Sequence, residues 1–218
     1  TQPLYVTQSI SPVYSNWECE AQSNLFSELS IVACDSTEIV GKMSKGWSVI
    51  DSVCSSMSRP ISPVQFYMTR GTYLSTDIKC LPSAEVTHII EPGQWIRVGE
   101  LMVECFSVPH DGVESVCYRV GYRGTWVGVI TDLGHIPDDV INRMRSMSTL
   151  VLEFNYDSTM LRQSQYPVYI QDRISSDFGH LSNQQAANAL LKATSPRLRN
   201  VLIGHISRKN NLPELARD

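Results

Sequence analysis

From Pro63 onward, apolar residues fall in short runs separated by turn-forming residues, and the runs predict strands first and helices later. Residues 64–68 read as a strand ending at Arg70-Gly71. Residues 86–90 read as another, stopped by Glu91-Pro92-Gly93, and 94–98 as a short edge strand. Residues 100–108 are apolar-rich and end at Pro109, as a strand feeding a loop does. Residues 116–122 alternate in part. After Arg123-Gly124 comes the run 125–130, so the pair predicts a β-hairpin. Residues 137–147 predict an amphipathic helix with Pro137 in the first turn and Asp138 and Asp139 at its positive end. Residues 150–154 form a short apolar strand. The clearest helix covers 181–194, where Ser182 is placed to cap and Gln185 to complete a capping box. Residues 199–204 give a last strand, and Pro213 opens a further helix. This order predicts a layered α/β (α+β) fold with helices packed on sheets.

Upstream of Pro63 the patterning fades. Fourteen Ser fall in the first 62 residues against thirteen in the remaining 156. Residues 24–29 carry a weak helix pattern and 29–33 a weak strand pattern. The chain therefore reads as an atypical Ser-rich region, 1–62, followed by a regular domain, 63–218.

Composition narrows the function classes. An apolar content of 42% supports an ordinary core. A net charge of −4 and a pI near 5.7 give no basic footprint, so a nucleic-acid substrate would need bound metal or local Arg and Lys for much of its positive field. No run approaches the roughly 20 apolar residues that span a bilayer, and no signal-peptide pattern opens the chain. The six Cys form no C-x-x-C pair, which points to free thiols and a cytoplasmic setting.

Three short stretches place a metal-ligating residue type just after an apolar run. They are Ser107-Val108-Pro109-His110-Asp111, Ile130-Thr131-Asp132-Leu133-Gly134 and Val201-Leu202-Ile203-Gly204-His205. A His, an Asp and a second His, each at a strand end, can meet at one sheet edge as half of a two-metal hydrolytic centre. Imidazole and carboxylate suit zinc or manganese, and Asp132 has two oxygens with which to bridge a pair of ions. His180 enters the clearest helix, where it could meet a phosphate or protonate a leaving group. Arg162, Arg173, Arg208 and Lys209 flank these positions, with solvated charge as their default role. Glu153 and Asn155 end a buried strand and stand where they could support the site from behind. His88 and His135 read as ordinary surface residues.

At these residues the chain resembles a known family. Residues 63–218 look like the latter two-thirds of a metallo-β-lactamase-fold hydrolase, with the WalJ (YycJ) group the most similar branch, related to the phosphodiesterases that include tRNase Z. The resemblance is carried by Tyr67-Met68-Thr69-Arg70-Gly71-Thr72, Val108-Pro109-His110-Asp111, Ile130-Thr131-Asp132-Leu133-Gly134, Leu152-Glu153-Phe154-Asn155-Tyr156-Asp157, Gly179-His180-Leu181-Ser182-Asn183 and His205-Ile206-Ser207 with Asn210-Asn211. It implies a four-layer αββα sandwich, here incomplete at both ends, and a dinuclear zinc or manganese site. It also implies phosphodiester hydrolysis, with exonuclease action on DNA. His110, Asp132 and His205 would be metal ligands, Asp132 and His180 catalytic, and His180, Ser182 and Arg208 on the substrate side. Such enzymes carry a T-H-x-H-x-D-H signature upstream, whereas no His here precedes His88. Two expectations follow: residues 1–62 are mis-framed or disordered text, or the chain is a scaffold or binding domain that kept the fold without the metals.

Overall fold

The computed structural model describes residues 65–217, together with two short parallel strands, β1 (Leu4–Tyr5) and β2 (Leu29–Ser30). The strand expected at 29–33 is thus present at its first two residues. The other expectations upstream of residue 63 lie outside the described residues. Two compact units divide the chain, residues 1–92 with 112–114 and residues 93–111 with 115–218.

In the first unit, β3 (Phe66–Thr69) pairs in parallel with β4 (Thr87–Ile90). A short helix, α1 (Arg70–Ser75), follows β3 directly, and the Thr69 side chain accepts the Thr72 N–H as its cap. Glu114, at φ 65°, accepts the Gly71 N–H at 2.6 Å. A Cβ on Gly71 would collide with Val113 and Glu114, which is why this turn takes glycine. His88 stacks on Tyr67 and bonds Gln65, an ordinary surface role.

The second unit is built on a six-stranded sheet in the order β10-β9-β8-β7-β6-β5. Its strands are β5 (Trp95–Val98), β6 (Leu101–Ser107), β7 (Val116–Tyr122), β8 (Thr125–Ile130), β9 (Thr149–Glu153) and β10 (Asn200–Gly204). β5 to β8 pair antiparallel, and β8, β9 and β10 run parallel. The β7–β8 hairpin turns at Arg123 (φ 47°) and Gly124 (φ 82°), the two positive φ values that a tight primed turn requires. The β8–β9 crossover carries α2 (Asp138–Met144), and the β9–β10 crossover carries α3 (Ser158–Gln163), α4 (Val168–Ser175) and α5 (Asn183–Ala193). The chain then enters α6 (Pro213–Arg217).

One face of the sheet is closed by helices. Phe106, Ile130, Leu150 and Leu152 pack with Val140, Ile141 and Met144 of α2 and with Ala186, Ala189 and Ala193 of α5. Each fully buried large side chain in such a layer contributes roughly 1.5–3 kcal/mol. The alanine stripe lets α5 lie close, and its capping box between Ser182 and Gln185 is formed. The helix read over 137–147 ends at Met144, and a tighter turn carries on to Met147. α3 and α4 had no strong periodic signal because α3 buries only Leu161 and α4 buries nothing. A helix without a core stripe leaves little hydrophobic pattern to read.

Candidate metal centre

Sheet direction collects the site. β7 is antiparallel to both β6 and β8, so β6 and β8 run the same way, and β9 and β10 run with β8. The carboxyl ends of all four strands therefore open on one edge, where open α/β sheets bind ligands. His110 lies three residues after β6, Asp132 two after β8, Glu153 closes β9 and His205 follows β10. Asp132 (φ 59°) and His205 (φ 52°) both take the left-handed conformation. Such backbone costs of order 1–3 kcal/mol for a non-glycine residue and concentrates at functional sites.

The second crossover supplies the remaining wall. The loop 176–182 is held to the strand-end loop at Asp111, whose N–H donates to Phe178 O at 3.0 Å, and folds back on α4, where the His180 N–H donates to Ile174 O at 2.8 Å. Gly134 donates to Pro109 O at 3.0 Å. A Cβ on Gly134 would strike the backbone of Ser176 and Asp177, and one on Gly179 the carbonyls of Arg173 and Ile174. Both positions need glycine because main chain approaches main chain. His135 joins this frame through Nδ1, 2.9 Å from Asp177 O.

Asp132, Glu153, His180 and His205 each offer a ligand atom, all within 4.8 Å of one another. His205 Nε2 lies 3.4 Å and His180 Nδ1 3.9 Å from Asp132 Oδ1. The His180 ring stands 5.2 Å from those of both His110 and His205. Glu153 is the hub: its Oε1 is 2.7 Å from His180 Nδ1 and 2.8 Å from His205 Nδ1, and its Oε2 accepts the Leu133 N–H at 3.2 Å. His110 Nδ1 lies 3.0 Å from Gly179 O. An acceptor at Nδ1 fixes each ring as the tautomer whose Nε2 carries the basic lone pair. His205 turns Nε2 toward Asp132, and His110 Nε2 lies 3.5 Å from Asp111 Oδ1. Asn155 adds a hydrogen bond of 3.1 Å to His205 O, which braces the left-handed turn.

Two carboxylates respond oppositely to this setting. Burial pushes the Asp132 carboxyl above its usual range; His205 opposes the rise and Glu153 adds to it. Burial also pushes Glu153 up, but the hydrogen bonds from His180 and His205, with their fields, outweigh it and hold the group near 2. Glu153, with no solvent exposure, is the residue whose importance exceeds its sequence signal.

Ser182 is buried, and its hydroxyl is engaged in the α5 capping box with Gln185. Arg208 is exposed on the turn after β10. Asn211 bonds Phe154 O at 2.9 Å and exchanges side-chain hydrogen bonds with Asn183, tying the segment after His205 to β9 and α5.

This sheet edge, with its His, Asp and Glu cluster, belongs to a known class. The family model described as "Beta-lactamase superfamily domain" matches residues 57–206, and the chain belongs to that family. The fold matches the metallo-β-lactamase fold protein YhfI from Bacillus subtilis, with a TM-score of 0.57 at 14% identity over 82% of this chain and 64% of that one. Among curated proteins, it is 33% identical to exodeoxyribonuclease WalJ of Streptococcus pneumoniae over 59% of this chain and 48% of that protein. It is 35% identical to exodeoxyribonuclease YycJ of Bacillus anthracis over 59% and 49%. The chain spans about half the length of these curated relatives. No helix among the described residues is long and apolar enough to cross a membrane.

Proposed function

We propose that this chain is a metal-dependent hydrolase of phosphodiester bonds, a cytoplasmic nuclease acting as an exonuclease on DNA. The observation that carries the reading is the donor set at the sheet edge: imidazoles held by Nδ1 acceptors beside a half-buried Asp132. That chemistry fits zinc or manganese, and the names of the two curated relatives support the substrate class. His110, Asp132 and His205 would hold the ions. Divalent ions there supply Lewis acidity at a phosphoryl oxygen and a nucleophile at neutral pH.

The chain's own residues orient and exchange protons. Glu153 keeps His205 aimed at the ion position and fixes the His180 ring through Nδ1. His180 Nε2 then faces the substrate side and hands a proton to the departing oxygen. Arg208, exposed on the turn after β10, would meet a flanking phosphate, and the buried Ser182 caps the helix that follows the His180 loop.

Metal per chain on purified protein tests the reading, together with hydrolysis of bis(p-nitrophenyl) phosphate. We expect bound zinc or manganese and turnover, with both abolished in His110→Ala. A chain that holds no metal, and whose melting temperature is indifferent to chelator, would instead be a scaffold or binding domain, the second reading raised by the lack of any His before His88.

A further inference from the structure

Resting on the nuclease reading, we infer that Phe178, with Tyr169 and Arg173, forms a stacking track that receives the unpaired bases of single-stranded nucleic acid beside the cluster. Phe178 lies two residues before His180, and its carbonyl accepts the Asp111 N–H next to His110 at 3.0 Å. Its backbone is fixed on both sides, by Ser176 Oγ at 3.3 Å from its N–H and by the close approach that demands Gly179. The ring is nevertheless 57% exposed. A single exposed aromatic is ordinary on a protein surface; one whose backbone is pinned beside His110 and lies two residues before His180 is placed to meet substrate.

The neighbouring groups extend the same chemistry. Arg173 Nε reaches Asp111 Oδ2 at 2.5 Å while its side chain stays 60% exposed. Tyr169 lies one helical turn earlier on α4, on the face that carries Arg173, and is 70% exposed. Arg173 thus shares a helix face with Tyr169 and reaches Asp111, whose N–H is bound by the Phe178 carbonyl. Planar aromatic faces and Arg cations are what sequence-tolerant single-strand binders use, because every base has a π-face. The acidic net charge fits a short local track rather than a broad basic surface.

The test compares eight-residue strands on the metal-loaded full chain: phosphorothioate dT8, rU8 and an abasic strand of equal length, followed by fluorescence anisotropy. We expect the base-bearing strands to bind about ten-fold more tightly than the abasic strand, the scale of one stacked base. Phe178→Leu, which keeps apolar volume without a ring, should lose that preference on dT8 and rU8 alike, and Phe178→Trp should restore it. Tyr169→Ala should lose part of it. Bound metal and melting temperature on each variant separate lost stacking from lost folding. The inference is overturned if wild type binds all strands equally or binds none, or if Phe178→Leu keeps the preference. A metal-loaded chain that cleaves bis(p-nitrophenyl) phosphate without any base preference would sink the track and leave the hydrolase reading standing.

Discussion

Two buried glutamates in one sheet show how the partner decides what a carboxylate does. Glu104 on β6 is met by Arg119 and by Arg143 Nε at 3.1 Å. Arg119 also lies over the rings of Trp95 and Trp126, 5.3 and 4.8 Å from their centroids, and donates to Ser146 Oγ at 2.6 Å. Glu153 at the end of β9 is met by two histidines and a backbone N–H. Arginine is permanently charged and offers donors only, so the Glu104 cluster is closed and its work is mechanical. A histidine that gives Nδ1–H to a carboxylate keeps a basic Nε2 on its other side, so the Glu153 cluster stays open to an ion or a proton. The antiparallel half of the sheet thus carries an ionic brace, and the parallel half ends in most of the candidate site.

The sharpest way to break this contrast is Glu104→Ala. It takes the carboxylate from the Arg119 guanidinium, which is only 15% exposed, while Arg143 keeps Asp139 Oδ2 at 2.7 Å. Removing one member of such a buried pair costs about 3–5 kcal/mol, read as a lower midpoint in urea, while metal per chain on the surviving folded protein is retained. Loss of metal in this variant would dissolve the division between brace and site.

Glu153→Gln is the converse. It should lower zinc affinity by about 10–100-fold in competition with a chromophoric chelator, because the two rings lose their charged anchor. It also carries a pH signature. Since the folded carboxyl is depressed from 4.5 to about 2, its contribution to stability is present above 4.5 and disappears as pH falls toward 2. Wild type should be the more stable protein at neutral pH, and its advantage over Glu153→Gln should vanish across that acid window. An advantage that persisted at pH 2 would mean that Glu153 acts by shape alone.

The smallest effect tests the neutral acceptor in the same frame. Gly179→Ala drives a Cβ into the carbonyls of Arg173 and Ile174 and displaces the carbonyl that holds His110. Overpacking of this kind costs typically 1–3 kcal/mol, so a modest drop in melting temperature is expected together with weaker zinc binding. A fall in stability with unchanged metal affinity would show that His110 needs no fixed acceptor.

Much of this was legible in the residues. Arg123-Gly124 between two apolar runs marked the hairpin, and Ser182 with Gln185 marked the start of α5. His110, Asp132 and His205 stood out because each follows a strand. Glu153 was visible only by its position near the end of the 150–154 run, as a residue that could support the site from behind, and α4, with no buried face, gave almost no signal. Period and turn chemistry are local, so the chain written in order already fixes where strands stop and which residues follow them. Which strand ends share an edge depends on strand order and direction. That is settled only when β7 returns antiparallel and two crossovers bring β9 and β10 in beside β8. Tertiary packing alone could place one buried carboxylate under two histidines 25 residues apart in sequence, because Glu153 is distant from both along the chain.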